Sequence, residues 1–540
     1  MEKSKSHYRS ITVLLTGIIV LTGIAGIAGN AAASPVDRVS AGQLDANVAV
    51  DAESDETTVQ LNQSEIDELT ERTIERVEKI RELEFKEDVD VEVISVEEFA
   101  DRNRDAFADT SESEATRENV KWEAMMMVNE STDATELQQA NAVEGPRGYY
   151  DPEHERVVLV VDDEASPELN ELVLAHELVH ALQDQHFDIS DRFHFSPFER
   201  PPMTQDELNA KNGIVEGDAV RVEQLYLDRC SEEWECQIPD RMQADDDELP
   251  DRQWGMYLVS LQPYSDGPNF VNHVESDHGW EGVNEIYENP PASSHQVIEP
   301  EAYPDDEPAT IEFTDRSSSD WELVEGEGDQ PDYESVGQAG AASMLFYPYY
   351  DSDRDDEAPV IPVLSFLNLT DSGELSEYRP VKYANNPYVS GWNGDALYPY
   401  VMETEAGAKE TAYVWKSNWE TERDAERWLD GYTELLNYHG GEESDENPNV
   451  FVIPDDNDFA GAYYIDRSGD TVIIANSPTE EELPAVYDAS AVNGERPSED
   501  EPVDGGGSDD SSDGLSGFGI AVTVVALITV ASSWRRLAER

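Results

Sequence analysis

Apolar residues recur at helical spacing soon after the chain's first sixty positions. Ile66, Leu69, Ile74, Val77 and Ile80 line one side of "SEIDELTERTIERVEKIRELEF", with Ser64 placed to cap the helix they predict. "VDVEVISVEEFADR" alternates and then turns helical, predicting a strand that runs into a short helix. "NVKWEAMMMV" reads as a further helical piece whose methionines belong to a core. In "RGYYDPEHERVVLVV" two apolar runs flank Asp151-Pro152, which predicts a hairpin with Val157 to Val161 as a buried strand. Ser166 and Pro167 then carry the signals of a helix start, and the helix should run to about Gln185. Leu169, Leu172, Val173, Leu174, Leu178, Val179 and Leu182 make it apolar on most sides, as a buried helix is. Thr204 and Glu207 form a capping box that opens a second helix through "DELNAKNGIVEGDAVRVEQLYLD".

Past Pro250 the chain becomes aromatic-rich, with mixed helical and loop character. Between Asp332 and Ala489, "AYVWKSNWETERDAERWLDGYTELLNY" predicts a strand followed by a helix, and "GAYYIDRSGDTVIIANS" a hairpin turning at Ser468-Gly469. The pattern makes the body α+β, divided into a unit over 64–310 and a C-terminal α+β module over 311–489. At 540 residues, more than one buried core is expected.

The ends have a different composition. Lys3, Lys5 and Arg9 precede an apolar run from Ile11 to Gly29 and the small residues Ala31 and Ala33, the signature of a secretory signal over 1–33. Residues 34–63 are an acidic linker. At the other end a Gly/Ser/Asp linker over 490–514 leads into an apolar helix over 515–536 that closes on Trp534, Arg535 and Arg536 and is long enough to span a bilayer. Linker, Gly-Phe-Gly, apolar helix and arginine pair together resemble the archaeal PGF-CTERM sorting signal, with Ser516 where that family has proline. In that family an archaeosortase removes the helix and attaches a lipid. Either a retained helix or a lipid would hold the body at the cell surface.

Charge narrows the setting further. There are 35 Lys+Arg against 120 Asp+Glu, a net charge of -85 spread along the chain. Disorder would follow from such a charge alone, but 38% hydrophobic residues with 10 Trp and 23 Tyr can fill cores. A folded protein of multimolar salt fits both facts, because screening there shortens to about 3 Å or less. Nucleic acid is excluded as a partner by like charge. Cys230 and Cys236, the only cysteines, are expected to pair in an exported chain, and Asn62, Asn129 and Asn368 stand in glycosylation sequons.

One motif carries chemistry. In "AHELVHALQDQHFD", His176 and His180 are one helical turn apart and face the same side, so both can reach one zinc ion, with Glu177 beside it as general base toward an attacking water. A third ligand is needed, and there are two candidates. His186 has the spacing of the elongated metzincin motif, but Gln183 stands where that motif has its helix-breaking glycine, and a continuing helix carries His186 away. Glu216, in "GIVEGDAV" on the second helix, is preferred. His176, His180 and Glu216 resemble the zinc ligands of gluzincins such as thermolysin-like peptidases. Those enzymes have an aspartate four residues after the glutamate. Val220 stands there here, which leaves Asp184 or Asp218 to orient a histidine. An oxyanion-stabilising group is expected among His273, His278, His295 and Tyr303.

The export signal, "HELVHALQDQHFD", "VEGDA", "PPASSHQVIEPEAY", "GWNGDA" and the anchored tail resemble a family of haloarchaeal cell-surface proteins with a zincin-like domain. The resemblance implies surface location and metal binding. The expectation is a surface-anchored zinc metallopeptidase acting on peptides or proteins, with a non-catalytic envelope protein of zincin-like fold as the alternative.

Overall fold

The computed structural model describes residues 63–487 except 105–109, 143–146, 163–166, 168, 196–200, 239–251, 329, 351–359, 363–365, 370–375, 377–378, 385 and 405–406. The residues read as an export signal and as an apolar tail helix, and Asn62, lie outside the described residues. No described helix is long and apolar enough to cross a membrane.

The fold is α+β, with two sheets. In the first, β1 (Asp90–Ser95) pairs parallel with β3 (Arg156–Val161), whose other edge takes β2 (Gly148–Asp151) antiparallel. Helix α1 (Gln63–Arg81) precedes this sheet in sequence, and β1 runs straight into α2 (Val96–Arg102), capped by Ser95. Between β1 and the hairpin lie α3 (Glu112–Ala124) and α4 (Ala134–Ala142). After the hairpin come α5 (Glu171–Phe187), the short α6 (Ile189–Phe193), α7 (Gln205–Glu232) and α8 (Trp254–Glu288), then α9 (Ser294–Ile298). Side chains of α1, β2, β3, α5, α7 and α8 close into one core.

The second sheet is antiparallel, in the order β4-β5-β6-β10-β9-β8-β7. Its long central strands are β5 (Trp392–Glu403) and β6 (Lys409–Trp419); β9 (Gly461–Ser468) and β10 (Thr471–Ser477) form the predicted hairpin. Its loop is Gly469-Asp470, one residue later than expected, because Ser468 still pairs with Thr471. The edges are β4 (Glu322–Leu323) on one side, and β8 (Val450–Ile453) and β7 (Glu442–Glu443) on the other. Alternation along the strands serves two faces. On β6, Tyr413 and Trp415 enter the core shared with α3, the start of α8, α10 (Gly337–Phe346) and α11 (Glu422–Tyr438). Their neighbours Ala412 and Val414 face a smaller cluster with Trp321 and α12 (Leu483–Val486).

Most elements follow the apolar pattern, and the departures are local. Helix α5 starts later than expected: Asn170 caps it by accepting from the Leu172 backbone N–H, and Pro167 precedes the helix, not its first turn. Ser166 lies outside the described residues. The aromatic stretch after Pro250 is helical over Trp254–Glu288, carrying Pro263 and Pro268, with two helical pieces meeting at a kink at Gly279, where φ is 67°.

Two contacts hold the architecture. Helices α7 and α8 touch backbone to backbone: a Cβ on Gly217 would lie 2.5 Å from the Gly267 carbonyl carbon, and one on Gly267 would lie 2.4 Å from Gly213 O. The second is Asp395, 5% exposed at the start of β5. Its Oδ1 accepts from Ser335 Oγ, Gly337 N and Trp392 Nε1, and its Oδ2 from Val336 N and Trp415 Nε1. It therefore satisfies the N-terminus of α10 and two indoles of the sheet together.

Each contact predicts a cost. Asp395→Ala leaves buried donors unsatisfied and should lower unfolding stability by about 3–5 kcal/mol, measured by denaturation at fixed multimolar KCl. A loss below about 1 kcal/mol would show that water replaces the carboxylate. Gly217→Ala should cost about 1–3 kcal/mol through forced separation of α7 from α8, read in the same assay.

Candidate metal centre

Two helices build the site. On α5, His176 and His180 lie on one face with ring centroids 4.8 Å apart, and both are buried, at 1% and 3% exposure. Helix α7 presents Glu216, 5% exposed, to both rings. His176 Nε2 and His180 Nε2 are 3.2 Å apart; Glu216 Oε2 is 3.3 Å from the first and 3.4 Å from the second. The three donor atoms make a nearly equilateral triangle. His186 is elsewhere: its Nε2 is 2.8 Å from Glu84 O.

The remaining faces of the ligand groups are held by residues beyond the motif. His176 Nδ1 faces Glu223 Oε2 at 3.4 Å, and Glu223 lies two helical turns past Glu216 on the same face of α7. His180 Nδ1 is 2.9 Å from Gln183 Oε1, and Gln183 Nε2 donates to Val215 O at 2.9 Å. Gln183, at the metzincin glycine position, thus orients a histidine and ties α5 to α7. Tyr264 on α8 donates to Glu216 Oε1 at 2.7 Å, which leaves Oε2 turned to the imidazoles.

This placement corrects several expectations. Asp184 accepts from Tyr150 Oη, Ser190 N and Ser190 Oγ at the end of α5, and Asp218 is paired with Arg81 and Tyr287 Oη. Neither reaches a site histidine; Glu223 does, from a position the thermolysin-type spacing does not mark. Among the expected oxyanion groups, His295 is bonded to Gln338 and Tyr303 to Asn289 O, while His273 and His278 lie half-buried and exposed further along α8. Tyr264 is the phenol next to the centre. The Glu216–Glu223 spacing was readable in the sequence, whereas Tyr264 depends on the glycine contact that sets α8 against α7.

Glu177 occupies the adjoining position on α5, 2% exposed, with β2 passing close by: a Cβ on Gly148 would sit 3.0 Å from Glu177 Cγ. Burial, opposed by the two imidazoles, pushes its carboxyl up to about 7. Burial pushes Glu216 the same way, but there His180 and His176 prevail and hold the carboxyl well below the usual carboxylate range. For His176 burial acts to lower the pKa, and Glu216 and Glu223 outweigh it, raising the pKa well above the ordinary value. Burial together with the Glu216 carboxylate raises the Tyr264 phenol, so it stays a donor.

The donor set fits a zinc-type ion. A tetrahedral shell with bonds of about 2.0–2.2 Å places neighbouring donors about 3.3–3.6 Å apart, close to the separations of 3.2 to 3.4 Å found here. Glu216 Oε2 and Glu177 Oε1 are buried without a hydrogen-bond partner, a condition a cation relieves. Packed against this centre is the Phe195 ring, 4.9 Å from that of His180.

The other sequence-marked residues are placed as follows. Cys230 and Cys236 form a disulfide. The Asn129 amide donates to Asp458 Oδ1 and that of Asn368 to Val381 O, so both are engaged in the folded chain.

Residues 322–487 match a family model described as a domain of unknown function (DUF8575). That span holds the seven-stranded sheet and helices α10 to α12, and the four residues His176, Glu177, His180 and Glu216 precede it. No curated protein matches the chain, and neither does any solved structure.

Proposed function

We propose that the protein is an exported, surface-tethered zinc metallopeptidase with a zincin-like helix pair, in which His176, His180 and Glu216 bind the ion and Glu177 is the general base. What carries the reading is the triangle of three buried donor atoms with edges of 3.2 to 3.4 Å beside an unpartnered carboxylate. Zinc bound there supplies Lewis acidity, which makes water more acidic and polarises a carbonyl. The chain's own groups do the rest. Glu177 accepts a proton from the attacking water and returns it to the leaving amine. Glu223 and Gln183 hold the imidazoles by their Nδ1 atoms, and Tyr264 fixes Glu216 by its second oxygen. The substrate is a peptide or protein, and tethering runs through the C-terminal apolar helix or a lipid attached by an archaeosortase.

A second reading has its own observation. All four groups are at most 5% exposed and the Phe195 ring packs tilted against that of His180, which suits an envelope protein whose ion only holds the fold.

Three substitutions test the centre, and the one at Glu177 separates the two readings. In multimolar KCl, Glu216→Ala is expected to release one equivalent of zinc per chain, read by atomic absorption; unchanged zinc content would sink the ligand assignment. Glu177→Gln should keep the zinc and slow peptide hydrolysis on the order of 10²–10⁴-fold, whereas an envelope protein has no hydrolysis to lose. Glu223→Gln should weaken zinc affinity roughly 10–100-fold, measured by competition with a chelator, with the fold intact by circular dichroism.

A further inference from the structure

A second group of donors lies on other elements. His295 on α9, Asp306 in the loop that follows and Glu420 between β6 and α11 bring one ligand atom each to within 4.8 Å of the others. His295 is 6% exposed, and its Nδ1 is 2.6 Å from Gln338 Oε1. A glutamine carbonyl oxygen only accepts, so Nδ1 is the donor in this contact, and in the neutral ring that leaves Nε2 as the free ligand atom. That nitrogen is aimed at Asp306 Oδ2 across 3.9 Å, beyond hydrogen-bond reach. Two carboxylates converging on one imidazole nitrogen at this spacing repel each other, and a cation held between the three ligand atoms relieves that repulsion.

The fold, and not side-chain mobility, sets this convergence. Glu420 N donates to Gly391 O at 2.8 Å and Ala309 N to Asn393 O at 2.7 Å, which pins the loop after α9 and the residue after β6 to the start of β5. The His295 ring lies 6.3 Å from that of Trp392, the first residue of β5. The "PPASSHQVIEPEAY" and "GWNGDA" stretches, which the helix-pair centre leaves unused, thus meet here. A histidine backed by a glutamine, with carboxylates open to solvent, is the donor set of a first-row divalent ion that keeps part of its water shell.

We propose that His295, Asp306 and Glu420 form a second divalent-cation site, of zinc type, that clamps the α9 loop to the β6–α11 turn. It shares no residue with the helix-pair centre and does not depend on peptidase activity.

The test uses the full chain carrying Glu216→Ala, so that the first centre is silenced, under equilibrium dialysis against micromolar Zn²⁺ in multimolar KCl. The expected result is one Zn²⁺ per chain. Adding Glu420→Gln, an exposed change that spares the fold, should weaken that binding at least tenfold, and His295→Ala should abolish it. Glu281→Gln, an exposed glutamate on α8, should leave it unchanged. No Zn²⁺ on the Glu216→Ala chain, or binding that persists undiminished with Glu420→Gln, overturns the proposal and makes His295 an ordinary ion-pair partner of Asp306.

Discussion

The contact between Gly217 and Gly267 governs where the chemistry sits. With no side chain on either residue, α7 and α8 approach until their backbones touch. Glu216 is the neighbour of one glycine, and Tyr264 lies one turn before the other. The same approach that packs the helices therefore sets the phenol on the carboxylate at 2.7 Å. Helix α5 is tied to α7 at this level through Gln183 and the Val215 carbonyl. A core that excluded water less completely would leave these carboxylates with ordinary surface behaviour.

Burial turns that geometry into chemical potential. Two imidazoles and the carboxylates of Glu177, Glu216 and Glu223 share one dry space, and groups of like charge in such a space are costly unless a cation or protons compensate. The opposed pKa directions of Glu177 and Glu216 express this. The carboxylate between the histidines is held ionised, while its neighbour on α5 is pushed toward the neutral form. Both are glutamates, so the difference between the proposed ligand and the proposed proton carrier comes from where each points.

The second sheet is joined to the helical half by polar groups as much as by apolar ones. Asp395 serves α10 and the indoles of Trp392 and Trp415 at once, and the start of β5 beside it, from Gly391 to Asn393, receives backbone bonds from Glu420 and Ala309. In a chain of net charge -85, such interior carboxylates with complete donor shells contrast with the surface acids that salt must screen.

Much of the fold was legible because local physics specified it. The period of Ile66 to Ile80, the Thr204–Glu207 capping box and the alternation around Tyr413 and Trp415 each identify an element without reference to the rest. His176, Glu177 and His180 were legible for the same reason, since one helical turn sets their spacing. Glu216 followed because Gln183 keeps α5 helical and carries His186 away, and because "GIVEGDAV" on the next helix resembles the gluzincin segment. The start of α5 was misplaced because Ser166-Pro167 and Asn170 both look like helix starts, and the side chain of Asn170 is the one that caps it. What the tertiary structure alone decided were the pairings between segments distant in sequence: Glu223 on His176, Tyr264 on Glu216, Asp395 on α10, and His295 with Asp306 and Glu420. Sequence spacing constrains residues that share a helix or strand. Which faces of two elements meet depends on packing between surfaces, and here glycines and buried carboxylates set that packing.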